Sequence, residues 1–174
     1  MIIDGDCLKS PLTELILGNK PNLKELYCPN NQLASLNLDS LKKLTRFNYS
    51  NNTLDSLDLD NLTNLVYLDC SFNKLAKLEL KKNINLKELD CSDNQLTSLD
   101  VSNSTQLRSL NLSDNRIDNL NIEGCFQLKE LKCDNNLFIQ DNLDFGRYPF
   151  LKKEDFQPTN AQQWLEQNYP KNKR

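Results

Sequence analysis

The side chains richest in chemistry recur at one spacing. Cys7, Cys28, Cys70, Cys91 and Cys133 share one register of a 21-residue period, while Cys125 stands outside it. Asp69 and Asp90 lie one period apart, each just before one of these cysteines. Thiolates serve as metal ligands or nucleophiles, and paired carboxylates do acid–base work, but each needs the right neighbours. Zinc-binding cysteines come in close pairs, two to four residues apart, and no such pair occurs here. The chain has no histidine, which removes the common triads. Its four glycines, at 5, 18, 124 and 146, form neither a phosphate-binding loop nor the glycine-rich nonapeptide of calcium-binding coils. No catalytic residue, metal site or cofactor is assigned, and an enzyme is not expected.

The period itself explains the spacing. Asn31, Asn52, Asn73, Asn94, Asn115 and Asn136 follow one another at 21 residues without a slip. Leucines precede each of them, as in Leu65, Leu68, Cys70, Asn73 and Leu86, Leu89, Cys91, Asn94. A second group follows, such as Leu75, Leu78, Leu80 and Leu96, Leu99, Val101. Counting from Leu23 as position 1, the apolar positions are 1, 4, 6, 11, 14 and 16. Each unit thus reads as two short alternating segments, a period-2 signal with no room for an amphipathic helix. Repeated units of this length cannot bury their apolar face alone and are stable only as a stack.

Across residues 7–145 this pattern resembles the leucine-rich repeat, and its nested halves resemble the 21-residue subclass called IRREKO-type. Phe47 and Tyr49 depart from it in the second full repeat, and the sixth repeat decays after Asn136. The resemblance implies a mainly β solenoid, a right-handed parallel stack of about six to seven coils with short strands on both faces. Strands are expected at positions 3–7 and near 13–17. The resemblance also implies that the asparagine ladder (Asn31, Asn52, Asn73, Asn94, Asn115, Asn136) turns inward and hydrogen-bonds the backbone of its own and the next coil. The physics agrees, because buried backbone groups at a turn need partners and an amide both donates and accepts. The cysteine column reads as reduced core filling, since parallel neighbouring thiols fit disulfide geometry poorly. That places the chain in a reducing, cytoplasmic setting. Tyr49 is expected to reach a backbone group with its hydroxyl.

The length suits one domain, with residues 1–158 as the repeat domain. Residues 1–22 form a partial first repeat, 23–136 the regular repeats, and 137–158 a degenerate last coil. There Phe138, Phe145, Tyr148, Phe150 and Phe156 plug the open core, and Gly146 and Pro149 suit turns. Residues 159–174 carry a capping helix and a basic tail. Thr159 with Gln162, or Asn160 with Gln163, offers a capping box, and Pro170 stops the helix. No dedicated cap is visible at the start. Either the first strands form a minimal cap, or the natural chain begins earlier, or this edge pairs with another copy.

The formal net charge is −3, and the last four residues contribute three positive charges from Lys171, Lys173 and Arg174. An acidic body argues against nucleic acid as a partner. The opening segment has no basic region followed by an apolar run, so it does not read as a signal peptide, and no segment reads as a membrane span.

With chemistry set aside, a rigid sheet presenting outward columns reads as a protein-binding scaffold. The candidate surface is the first sheet: Tyr27, Arg46, Asn48, Val66, Tyr67, Asp69, Phe72, Glu88, Asp90, Asp93, Asn111 and Asp114. In the third repeat Val66, Tyr67 and Phe72 stand where other repeats put polar residues, ringed by carboxylates. An aromatic centre with an acidic rim predicts a basic protein partner. The second sheet, with Asp58, Glu79 and Asp100, is the next candidate. The alternative is a structural spacer or oligomer-forming repeat segment of a larger protein, and the uncapped N-terminal edge offers a route to self-association. Glycan recognition is a third class, weaker without a secretion signal.

Overall fold

The computed structural model describes residues 2–4, 11–137 and 147–151, the first three by backbone alone. The chain is a parallel β solenoid. Seven three-residue strands line one face: β1 (Ile2–Asp4), β2 (Glu25–Tyr27), β3 (Arg46–Asn48), β4 (Tyr67–Asp69), β5 (Glu88–Asp90), β7 (Ser109–Asn111) and β9 (Glu130–Lys132). Between them on the other face, β6 (Ser98–Asp100) pairs with β8 (Asn119–Asn121). From β2 to β9 the chain completes five turns of 21 residues, rather than the six to seven coils expected.

The first-face strands occupy positions 3–5 and stop short of position 7. In β3, β4, β5 and β7 a carboxylate or amide at position 5 ends the strand by accepting the N–H two residues on. Asn48 Oδ1 takes Ser50 N at 2.9 Å, Asp69 takes Ser71 N at 3.1 Å, and Asp90 takes Ser92 N at 3.0 Å. Such Asx turns compete with the ladder and terminate it. The second face is less regular than expected. Among the described residues its strands form only in the fourth and fifth repeats, at positions 13–15. Elsewhere one backbone bond per coil joins neighbours there, as in Lys74 N to Leu54 O at 2.7 Å.

Successive strands pair in register at 21 residues, with one exception. Ile2 lies opposite Glu25 and Ile3 opposite Leu26, an offset of 23. β1 is therefore offset by two residues from the period, which is restored by Leu12, whose carbonyl accepts Gln32 N at 2.8 Å just as Leu33 O accepts Thr53 N at 3.1 Å. Cys7, Phe138, Phe145, Gly146, Phe156 and the expected helix at 159–169 lie outside the described residues.

The core is built as columns. Positions 1, 4, 11 and 16 are buried in every described regular coil. Position 6 is buried at Cys28, Tyr49, Cys70, Cys91 and Leu112, while Cys133 is half-buried. Each buried leucine contributes about 1.5–3 kcal/mol. Position 14 is only half-buried at Leu36, Leu57 and Leu120. A seventh inward column, unforeseen, lies at position 19: Leu41, Leu62, Asn83, Ser104 and Cys125 are all nearly inaccessible. Its polar members are satisfied by the preceding coil. Asn83 Nδ2 donates to Leu62 O at 3.0 Å, Ser104 Oγ to Asn83 O at 3.1 Å, and Cys125 Sγ to Val101 O at 3.2 Å. Cys125 is thus a core residue rather than part of a connecting stretch. Tyr49 is accommodated beside Phe47, ring centroids 5.7 Å apart and edge-on, with its hydroxyl donating to Ser35 O at 3.5 Å. At the far end Tyr148 is buried and donates to Ile122 O at 3.4 Å, while Phe150 remains exposed.

The asparagine ladder is present, and it reaches the preceding coil rather than the next. Asn94 Nδ2 donates to Cys91 O, Ser92 O and Cys70 O at 3.2, 3.0 and 3.0 Å, and Oδ1 accepts Leu75 N at 2.9 Å. Among the described residues no buried side-chain nitrogen or oxygen lacks a partner. Asn94→Ala strands these backbone groups and should cost about 1–3 kcal/mol in chemical denaturation. Asn94→Asp should cost more at neutral pH, since a buried carboxylate would face three carbonyl oxygens.

The five described cysteines are free thiols. Cys70 Sγ donates to Asp90 O at 3.6 Å and Cys91 Sγ to Asn111 O at 3.5 Å, so each thiol reaches the next coil. Burial pushes the thiols of Cys28 and Cys133 up to about 12 and Cys125 up to about 11, and it raises those of Cys70 and Cys91 as well. Unfolded thiols ionise near pH ~8.5. Above that pH the unfolded chain releases protons that the folded chain keeps, so stability is full below it and is lost as pH rises through the folded values. Melting temperature should therefore fall between pH ~9 and ~11, less steeply in a Cys70→Ala, Cys91→Ala double variant.

Candidate protein-binding surface

The outward columns of the first sheet begin at position 3. Arg46 projects there between two tyrosines. Its Nε donates to Tyr27 Oη at 2.9 Å, its Cζ lies 4.5 Å from the centre of the Tyr67 ring, and Tyr27 Oη donates to Glu25 Oε2 at 3.2 Å. A planar guanidinium stacks on one ring while bonding the other, which is the geometry that distinguishes arginine from lysine. The relay ties three coils together and holds Tyr67 half-buried. Burial raises the Tyr67 hydroxyl above its ordinary value, as does the charge of Asp69, with Arg46 opposing.

Position 5 carries Asn48, Asp69, Asp90 and Asn111, and the two amides flank the two carboxylates. Asn48 Nδ2 donates to Asp69 Oδ2 at 3.1 Å, and Asn111 Nδ2 to Asp90 Oδ2 at 2.9 Å. The other oxygen of each carboxylate takes a serine hydroxyl, Ser71 or Ser92, at 2.6 Å. Both carboxylates are thus held by neutral donors. The ion pairs among the described residues involve Glu79, Asp60 and Glu123, and none reaches Asp69, Glu88, Asp90, Asp93 or Asp114. Among the described residues these five carboxylates thus take part in no close ion pair. On the second face Lys77 and Lys81 bind Glu79 at 2.7 and 3.5 Å. Asp58 and Asp100 there spend one oxygen on turns to Asp60 and Ser102.

Position 8 is the corner after the strand, and its backbone is left-handed in every described coil. Asn30, Asn51, Phe72, Asp93, Asp114 and Asn135 have φ between 52° and 57°. Asparagine and aspartate tolerate this region; a bulky aromatic there is an outlier. Phe72 is locked by the ladder, its N–H donating to Ser92 O at 3.0 Å and its carbonyl accepting Asn52 N at 3.2 Å. Its side chain is 55% exposed, so burial does not compensate the strain. The signal was readable in the sequence as a column of Asn and Asp broken once.

The structure distributes the candidate residues along the coil. Tyr67 opens β4, whereas Phe72 sits in the corner three residues beyond the strand's end. Val66 precedes the strand and lines a groove on the opposite flank with Ile84. Glu88 and Asp114 are exposed, and Asp69, Asp90 and Asn111 are half-buried. Asp93 and Asp114 stand on adjacent corners. Burial, then the charges of Asp114 and Asp90, raise the Asp93 carboxyl above its usual range. Among the described residues no cluster of three or more potential metal ligands occurs, and no helix is long and apolar enough to cross a membrane.

Stacked coils, an inward asparagine ladder and an open outward sheet match the leucine-rich-repeat fold. Residues 84–124 match the family model for leucine-rich repeats in two copies. No curated protein matches the chain. Among solved structures it is similar to the functional domain of InlJ from Listeria monocytogenes, which includes a cysteine ladder, at 30% identity and a TM-score of 0.80. That match covers 86% of this chain and 33% of the other. The internalin InlF from L. monocytogenes str. 4b F2365 shares the fold, with 24% identity, a TM-score of 0.68, and coverage of 76% and 41%. The leucine-rich-repeat domain of APL1B matches at 27% identity and a TM-score of 0.63, covering 75% of this chain and 39% of that one. The chain thus spans between 33% and 41% of the length of these relatives. Proteins of this fold are typically interaction scaffolds without catalytic activity.

Two stability changes follow from the corners. Phe72→Asn should raise stability by about 1 kcal/mol in urea denaturation, because left-handed backbone costs most L-residues about 1–2 kcal/mol and asparagine less. Asp93→Asn should also stabilise at neutral pH. A carboxyl raised in the fold destabilises above its folded value, and that cost is relieved as pH falls through it. The gain, up to about 0.5 kcal/mol, should vanish in acid.

Proposed function

We propose that the chain is a non-catalytic protein-interaction module that binds a basic partner through its first sheet. Phe72 carries this reading. It accepts left-handed backbone where every other described coil has Asn or Asp, and it leaves its ring in solvent. Strain held in place on both sides and not offset by burial is the kind that accumulates at binding sites. Tyr67, braced by Arg46, supplies the second aromatic contact, and Asp69, Glu88, Asp90, Asp93 and Asp114 supply the acidic rim. None of these carboxylates joins a close ion pair among the described residues, which favours a cationic surface and association that slows with salt.

A second reading has one observation behind it. β1 pairs with β2 on one side and leaves its other edge open among the described residues, and such an edge can pair with another copy. Light scattering separates the two: a monomer at all concentrations removes self-association through β1. For the first reading, the test is capture of a specific partner by the wild-type chain, Phe72→Asn and Tyr67→Ala. Phe72→Asn should lose capture while melting higher than wild type, a combination that misfolding cannot produce. Undiminished capture by both variants would sink the assignment of this surface.

A further inference from the structure

The opposite flank of the first sheet has the reverse chemistry. Position 2, just before each strand, reads Lys24, Thr45, Val66, Lys87, Arg108 and Lys129. Beside it runs an open groove of about 760 Å³ spanning four coils. Its cations are Lys24, Lys43 and Lys87, its apolar side chains are Val66 and Ile84, and the rest of the lining is Thr, Asn and Gln without a carboxylate. None of the three lysines joins an ion pair among the described residues; Lys43 Nζ meets only a neutral acceptor, Asn22 Oδ1, at 2.9 Å. Ile84 is 55% exposed, and two coils further on the same position holds Phe126, 45% exposed. Lys129 follows, with its Nζ 5.8 Å from the Phe150 ring centre.

We infer that this groove docks an extended acidic segment of a partner protein, with an apolar residue at every third position. The spacing selects the conformation. Neighbouring coils stand about 4.8 Å apart, so Ile84 in the groove and Phe126, one coil beyond its lining, are separated by roughly 10 Å along the same flank. A β-strand covers that distance in three residues but turns the third side chain to the opposite face. A polyproline-II segment rises about 3.1 Å per residue with three residues per turn, returning every third side chain to the same face about 9 Å on. The intervening positions then lie beside the lysine and arginine column, where Asp or Glu complements them. This inference is independent of the first-sheet reading, since it uses the other flank and the opposite charge.

The experiment uses a fluorescent peptide of about a dozen residues, rich in glutamate and proline with leucine at every third position. Binding is followed by anisotropy against the whole chain. The same peptide with serine for leucine, and a single-stranded oligonucleotide, serve as probes of bare negative charge. The leucine peptide should bind, the serine peptide at least about tenfold more weakly, and a Lys43→Glu, Lys87→Glu variant should weaken the leucine peptide by about tenfold or more. Ile84→Ser should also weaken it, while Phe72→Asn leaves it unchanged. All four substituted side chains lie at the surface, and unchanged melting temperatures of the lysine and isoleucine variants confirm the fold. No binding, equal binding of the serine peptide or oligonucleotide, or indifference to the lysine reversal would overturn the inference. Loss of binding in Phe72→Asn would place the peptide on the first sheet instead.

Discussion

The structure depends on one amide per coil. The ninth-position asparagine closes the corner of its own coil and bonds the coil before it. Asn73 shows the arrangement: Nδ2 donates to Cys70 O, Ser71 O and Tyr49 O, and Oδ1 accepts Leu54 N at 3.0 Å. Those backbone groups turn into the core, where the chain cannot hydrate them. Three-residue strands are too short to hold the coils in register alone. The ladder repeats the same bonds at each step, and equal 21-residue coils follow from it. The left-handed corner one residue earlier is part of the same device, since it swings the asparagine inward.

Much of this was legible from the periodicity, because alternation by residue type directly encodes which side chains face inward. The asparagine register, the leucine columns, the thiol column and the open first sheet all follow from spacing. What spacing concealed has identifiable causes. The position-19 column is inward at every described coil, yet it reads Leu, Leu, Asn, Ser, Cys. Its residues fit because Asn83, Ser104 and Cys125 meet carbonyls of the preceding coil, a contact that no pattern of hydrophobicity reveals. The two-residue offset at β1 was hidden because it is a matter of strand pairing, Ile3 lying opposite Leu26, while the 21-residue period holds from Leu12 on. The ladder's direction is likewise a matter of geometry rather than sequence. Of the candidate surface, the residue types and the acidic rim were visible in advance, but the separation of Val66 from Phe72 across the coil required coordinates.

Equal coils have an electrostatic consequence. A residue type repeated at one position stacks into a column at about 4.8 Å spacing, so like charges repel along it. Asp69 lies directly opposite Asp90 in the β4–β5 pairing. The neighbouring positions are amides, and each donates to the adjacent carboxylate, which confines the repulsion within the position-5 column to this one pair. A column of Lys and Arg gathers just before the strands, while carboxylates lie within them and at the corners after them. The sheet therefore presents a basic flank and an acidic face although the net charge of the whole chain is only −3.

The departures from an ideal repeat fall together. Phe72 in left-handed backbone, the Asp69–Asp90 opposition and the raised carboxyl of Asp93 lie in the third and fourth repeats. Each opposes folding, and each has a simple relief in the chain's own vocabulary, since asparagine occupies the equivalent position in another coil. A solenoid selected for stability alone would place Asn at all three. Local rules broken side by side, in the middle of an otherwise consistent stack, are expected where a surface is shaped for something other than the fold. The first and second repeats supply the contrast: Asn30, Asn48 and Asn51 follow the rule there, and the aromatic excess of that region, Phe47 and Tyr49, is turned inward and fully buried. The stack is thus mechanically uniform and chemically polarised, and its departures from uniformity are concentrated on the face proposed to bind.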